Sequence, residues 1–377
     1  MTARVAFYAP LKSPHHPIPS GDREIARLMM RALEQAGYDV ALVSETISYQ
    51  KRPSKELFDK RRREVEAERT RLTELWKAEP AARPDLWFTY HPYCKSPDWL
   101  GPPLCTLSSI PYATAEACRT HQATDADWRA GRAAVQRAVR QADANFVLKE
   151  TDWAYLTDVL GDMASAVRIP PFLDLAAQPP LPAPRPAGGA APKPPVMFAA
   201  GMMRPGAKAE SYRLLAEALR RLDGADWRLV VAGEGPQRPA VEAALAFLSP
   251  DRVDFLGSVP HEDIFALMDS SDLFVWPGVG EAIGLVYLEA QSRGLPVAAM
   301  RTAGVPLVVA DGTGGLLTAF GDPSTYAAAI GRLLGEPALR QQLGAGGKAY
   351  VRQHHDVSAV AAILRQTLDR ILAARPS

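Results

Sequence analysis

Cysteine is scarce in this chain of 377 residues: Cys94, Cys105 and Cys118 are the whole complement. Three thiols without paired short spacing provide neither a disulfide framework nor a zinc knuckle, so buried thiols in a reducing cytoplasm are expected. An excess of charge of one sign is also lacking. The 43 Lys and Arg residues stand against 42 Asp and Glu, a formal net charge of +1, which gives no global electrostatic case for binding nucleic acid. No apolar run approaches the roughly 18 residues needed to span a bilayer. The opening MTARVAFYAP lacks the basic start, long apolar core and small-residue cleavage site of a secretion signal. A cytoplasmic protein, at most peripheral on the inner face of a membrane, is expected.

Proline, by contrast, is plentiful and unevenly placed. Eight prolines fall between Pro179 and Pro195 with few large apolar residues among them, a composition that builds no core and reads as a semi-rigid linker. On either side, short apolar strands alternate with amphipathic segments. ARVAFYAP, a loop, REIARLMMRALEQAGY and DVALVS form one strand-loop-helix-strand unit, the start of a parallel doubly wound sheet. The alternation restarts at VMFAAG and runs to GGLLTAF. The expected organisation is an N-terminal Rossmann-like domain over 1–178, a linker over 179–195 and a second Rossmann-like domain over 196–355. A tail helix over 356–377 is expected to pack back on the first domain.

Ligands of open α/β sheets bind beyond the carboxyl ends of the strands. GMMRPGAK, GEGPQR, LGSVPHED and PGVGEAIG each end a strand of the second domain, so Gly201 and Gly233 join the candidates along that edge. The stretch GEAIGLVYLEA, Gly280 to Ala290, carries two glutamates. On one regular helix Glu281 and Glu289 would lie about 80° apart round the axis and roughly 12 Å along it, too far to grip one small group. Glu281 is therefore placed in the loop and Glu289 inside a helix beginning near Ala282 to Gly284. The amides of Ile283, Gly284 and Leu285 would then be open to an anion. Two plainer readings stand beside this one: Glu289 pairing with Arg293 four residues on, and Glu281 as a solvated charge favoured by the helix dipole.

The run GEAIGLVYLEAQSRGLPVAAMRTAGVPLVVADGTGGLL resembles the signature region of the retaining family 4 glycosyltransferases. GEGPQRPAVEAAL and FLGSVPHEDIFALMDSSDLFVWPG are similar to that family in order and spacing. The resemblance covers essentially all of the second domain; in the first it rests on IPSGDREIARLMMRAL and VRIPPFLD. It implies the GT-B fold, two Rossmann-like domains with parallel sheets facing a central cleft, and sugar transfer from a nucleotide sugar to an unidentified acceptor. No metal or other cofactor is implied. By resemblance, Glu289 would bond the ribose, Glu281 the donor sugar, and Gly284 and Leu285 the diphosphate. Lys208 and Arg204 would neutralise the leaving group, and the chain around Val259 would line the base.

Two positions depart from the family pattern. Met202 stands where an arginine usually follows the glycine, with Arg204 two places later, and Ile283 replaces a common aromatic residue. In the first domain, Gly21 at a loop-to-helix start and His91 beyond the strand LWFTY are candidates for the donor side. His15, His16, Glu116 and Asp174 are weaker ones. Between Lys51 and Arg71, nine basic residues against five acidic ones would suit either contact with anionic lipid or a solvated face. Oligomeric state is not legible. Two other classes share such a sequence: a GT-B sugar-nucleotide epimerase, with acid and base either side of the sugar, and a silent nucleotide-sugar-binding protein. A nicotinamide dehydrogenase fits poorly, because GEGPQR lacks the third glycine of the fingerprint.

Overall fold

The computed structural model describes residues 2–18, 20–118, 128–182, 194–222 and 226–374. Most of the expected linker, 183–193, lies outside them. The chain divides into two compact units, Met1–Pro170 with Val357–Ser377, and Pro171–Asp356.

The first unit alternates β1 (Arg4–Tyr8), α1 (Gly21–Gln35), β2 (Asp39–Ser44), α2 (Lys55–Ala78), β3 (Leu86–Tyr90), α3 (Gly101–Ser108), β4 (Tyr112–Ala115), α4 (Arg129–Gln141), β5 (Ala144–Val147), α5 (Glu150–Leu160) and β6 (Ala166–Arg168). The strands form one sheet in the order β2-β1-β3-β4-β5-β6, with every neighbouring pair parallel. A parallel sheet is covered on both faces, which is why LWFTY and YATA are buried at every position. Asp98 ties the β3–α3 connection together. It accepts from Thr89 Oγ1 at 2.5 Å, from the amides of Leu100 and Gly101 at 2.8 Å each, and from the Tyr112 hydroxyl at 3.0 Å.

The second unit repeats the plan with β7 (Val196–Ala200), α6 (Ala207–Leu219), β8 (Arg228–Ala232), α7 (Arg238–Leu245), β9 (Val253–Gly257), α8 (His261–Ser270), β10 (Leu273–Val275), α9 (Leu285–Ser292), β11 (Val297–Met300), α10 (Val305–Val308) and β12 (Gly315–Thr318). Its parallel sheet runs β12-β11-β10-β7-β8-β9. Two helices, α11 (Pro323–Gly335) and α12 (Pro337–His354), close this unit. The last, α13 (Val357–Ala373), belongs to the first unit, where the Tyr38 hydroxyl donates to Asp369 at 2.8 Å. The order reversal in each sheet, at β1/β3 and at β7/β10, marks where a doubly wound sheet opens its crevice.

The charged stretch 51–71 lies largely on α2, and much of its charge is paired along the helix. Lys55 meets Asp59 at 3.0 Å, Arg61 meets Glu64 and Arg71 meets Glu68 at 2.8 Å each, and Arg69 pairs with Glu66. Among the described residues, no helix is long and apolar enough to cross a membrane.

Candidate functional site

In the second unit β10 stops at Val275 because Trp276, Pro277 and Gly278 carry the chain away from the ladder. The loop that follows is fixed from several sides. The Tyr287 hydroxyl donates to Trp276 O at 3.0 Å, Val279 N to Ser211 Oγ at 3.0 Å, and Gly304 N to Glu281 O at 2.8 Å. A side chain at Gly304 would collide with the Ala282 and Glu281 carbonyls, so the Gly304-Val305-Pro306 turn acts as a backbone clamp on this loop. Glu281 stands inside the clamp with its side chain 15% exposed. It accepts from Trp276 Nε1 at 3.0 Å and pairs with the Lys208 ammonium. Lys208, on the first turn of α6, lies 5.6 Å from the centre of the Trp276 ring. Glu281 is thus a held group on a held loop, which sets aside the solvated-charge reading.

The helix after it begins later than expected. Gly284 takes the left-handed conformation (φ 76°, ψ 46°), so α9 starts at Leu285 and Ile283 stays in the loop. A Cβ at Gly284 would stand 2.8 Å from the Tyr287 ring, so glycine is required there for conformation and for space. No side chain caps α9, leaving its first amides, from Leu285 on, oriented for an anion. Ile283 is buried, at 7% exposure, so its apolar character serves packing.

Glu289 lies one turn into α9, and its carboxylate meets His261 Nε2 at 2.9 Å. Arg293, the alternative partner, is engaged elsewhere. It grips Asp269 at 2.5 and 2.8 Å and the Pro179 carbonyl at 2.7 Å. Since His261 opens α8 directly after Val259 and Pro260, the Glu289 contact draws the Val259 loop and α9 together.

Gly201 and Gly233 pack two strand-end loops closely. A Cβ at Gly201 would stand 2.8 Å from Trp276, and one at Gly233 would strike Gly201 O. Met202 is 45% exposed. Arg204 is exposed as well, and its guanidinium meets no partner among the described residues. A cation left unpaired at a strand end is available to an incoming anion.

The first unit holds a separate cluster. His91 follows β3 with φ 55°, a strained conformation outside glycine, and its side chain is 15% exposed. Its Nδ1 meets Asp22 Oδ1 at 3.1 Å and its Nε2 meets Cys118 Sγ at 3.5 Å. Burial alone would lower the imidazole pKa, but Cys118, Asp22 and Glu116 together hold it well above the usual value. The hydrogen bond from His91 in turn lowers Asp22. Gly21 lies next to Asp22 at the start of α1, where Ser20 caps Arg23 N at 3.3 Å, and a Cβ there would meet nothing within 4 Å. Glu116 is buried, taking the Tyr90 hydroxyl at 2.7 Å and the Lys149 ammonium at 2.9 Å. Asp152, 3.2 Å from Lys149, is pushed up to about 6 by burial, which outweighs that cation.

The sequence does not mark Trp276, His261 or Lys149 as site residues, and Cys118, expected as a buried thiol, is only partly buried. Trp276 and Lys149 each fall within two residues of a strand end, which was the available signal. The weaker candidates find local partners: His15 meets Glu45 at 3.1 Å, His16 accepts from Ile18 N at 3.1 Å, and Asp174 caps Ala176 N at 3.1 Å. Among the described residues no group of three or more His, Cys, Asp or Glu could hold a metal ion.

Residues 194–336 match the family model described as glycosyl transferases group 1. The match lies wholly within the second unit. Relatives of this domain include a D-inositol 3-phosphate glycosyltransferase of Corynebacterium diphtheriae, 36% identical over 138 residues, covering 35% of this chain and 32% of the relative. A 2-deoxystreptamine glucosyltransferase of Streptomyces kanamyceticus is 33% identical over 150 residues, covering 40% and 39%. The glycosyl transferase match thus spans about a third of these relatives' length. Among solved structures, sucrose-phosphate synthase from Thermosynechococcus elongatus has a TM-score of 0.68 at 20% identity, over 99% of this chain and 100% of that one. Anabaena HepE in complex with UDP has a TM-score of 0.69 at 15% identity, over 97% and 100%. These likenesses show the fold, which is GT-B.

Proposed function

We propose that the chain is a retaining glycosyltransferase, moving a sugar from a nucleoside diphosphate donor to a hydroxyl of a polyhydroxylated acceptor. The observation that carries this reading is the joining of Glu281, Lys208 and Trp276 beside the uncapped start of α9, with Glu289 one turn further in. The amides of α9, Lys208 and Arg204 suit the diphosphate, Glu289 the ribose and Glu281 the sugar hydroxyls. Stabilising the negative charge that develops on the departing diphosphate is the largest effect available to such a site. In the reaction the bond from the anomeric carbon to the phosphate oxygen breaks and a bond to the acceptor oxygen forms on the same face. The acceptor proton passes to the departing phosphate, so no protein nucleophile is required. His91 and Gly21 of the first unit take part on the donor side in this proposal, and no metal does.

The acceptor class is supported by the relatives' names, an inositol phosphate and an aminocyclitol. A peripheral contact of residues 51–71 with anionic lipid belongs to the same proposal. The exposed Lys51, Arg52, Lys55 and Arg63 support it, the ion pairs along α2 reduce the free charge, and salt-sensitive co-sedimentation with anionic vesicles tests it. The transferase reading itself is tested by incubating the protein with UDP-, GDP- and ADP-sugars and candidate cyclitols. A glycosylated product of unchanged anomeric configuration is expected. An epimerised donor formed without acceptor, or tight nucleotide binding with no turnover of any donor, would replace the reading with one of its alternatives.

A further inference from the structure

The first unit contains a cavity of about 420 Å³ between the start of α2, the β3–α3 connection and the start of α4, within the range of small-molecule sites. Phe58, Trp99 and Trp128 form much of its wall. The rings are held in place: Phe58 meets Trp99 edge-on at 5.0 Å, Arg62 lies 5.2 Å from the Trp99 ring centre, and Lys95 lies 5.4 Å from that of Trp128. α4 comes close at the cavity because Gly131 has no Cβ, which would strike Cys94 O.

Three polar groups on residues lining this cavity have no protein partner among the described residues. Gln50 is 4% exposed; its backbone amide is bound to Lys95 O at 2.8 Å, but its carboxamide has no partner among the described residues. The indole N–H groups of Trp99 and Trp128, exposed by 7% and 4%, have none either. An amide and two indole N–H groups without protein partners, on residues that line one aromatic-walled space, are available to a guest. That guest must offer C–H surface to the rings and several hydroxyls to the amide and the N–H donors.

We propose that this cavity binds a saccharide or cyclitol ring, and that it is the subsite by which the acceptor is chosen. The inference rests on the transferase reading for the word acceptor; the binding itself does not. Because the rings are already fixed, little side-chain order is lost on binding.

Isothermal titration of the full chain with methyl α-glucoside, N-acetylglucosamine, maltose and scyllo-inositol tests it. At least one probe should bind saturably. Gln50→Leu should weaken that binding at least tenfold, and Trp99→Phe, which keeps a ring and loses the N–H, at least threefold. Gln50 makes no side-chain bond to the described protein, so Gln50→Leu should melt at or above the wild-type temperature, separating lost binding from lost folding. No saturable binding of any probe at millimolar concentration, or equal affinity in wild type and Gln50→Leu, overturns the proposal. So does competition between UDP and the bound probe, which would make the cavity a nucleotide site. Failure of saccharide binding with UDP binding intact removes this subsite and leaves the transferase reading standing. Saccharide binding without affinity for any nucleotide sugar does the reverse.

Discussion

Glu281 and Glu289 can be separated by what each carboxylate holds. Glu289→Ala removes a group whose protein partner is His261. That histidine's side chain is 65% exposed, so it stays hydrated when the carboxylate goes, and the fold should lose no more than about 1 kcal/mol. In the proposed function Glu289 bonds the ribose, a charge-assisted contact worth about 1.5–3 kcal/mol, so nucleoside diphosphate affinity should fall about 10- to 150-fold. Glu281→Ala acts differently, because it releases Lys208 and Trp276 Nε1 from their shared carboxylate. If Lys208 meets the diphosphate and Glu281 the sugar as proposed, the freed ammonium should hold nucleotide affinity at or above the wild-type level, while kcat/KM with the intact donor falls by about 10- to 150-fold. The assay is titration calorimetry with UDP, GDP and ADP on both variants, with donor turnover measured beside it. Equal loss of nucleotide affinity in the two variants would refute this division of labour.

Two further outcomes follow from conformation and charge. Gly284→Ala should lower stability by about 1–3 kcal/mol, since an alanine there is strained at φ 76° and meets Tyr287; a melting temperature equal to wild type would contradict the left-handed cap. His91, held well above its ordinary value, should contribute stability in full below about pH 6.5 and lose it as pH rises through the folded value. Melting should therefore decline above neutrality more steeply in wild type than in His91→Gln. The His91 imidazole, followed by NMR, should titrate above 6.5 and move down in Cys118→Ser; titration at or below 6.5 in wild type would sink the cluster argument.

Strands were the most legible part of the sequence, because a parallel sheet buried on both faces must be written in short, nearly continuous apolar runs. DVALVS and VDFLG became β2 and β9 at the expected residues. α3 and α5 are not legible in the sequence: α3 is eight residues with Pro102 and Pro103 in its first turn, and neither helix carries a long apolar stripe. The start of α9 was displaced because Gly284 caps the helix, something spacing alone could not distinguish from a first helical residue. The site was legible as a set of strand ends. What joins them depends on contacts between residues far apart in sequence: Lys208 with Glu281 is a separation of 73, and His261 with Glu289 one of 28. The same limit hid the His91 cluster, since Asp22 and Cys118 approach the histidine only after three strands have been laid side by side.

The central claim is that the second unit holds a nucleoside diphosphate at the start of α9, and ligand-dependent melting tests it most directly. A ligand at 100 times its Kd stabilises the folded state by about 2.7 kcal/mol, a rise of about 5–10 °C for a unit of this size. The account predicts such a saturable rise with one of UDP, GDP or ADP, reduced in Glu289→Ala. No rise with any of the three at millimolar concentration, or a rise of the same size in Glu289→Ala, would contradict it.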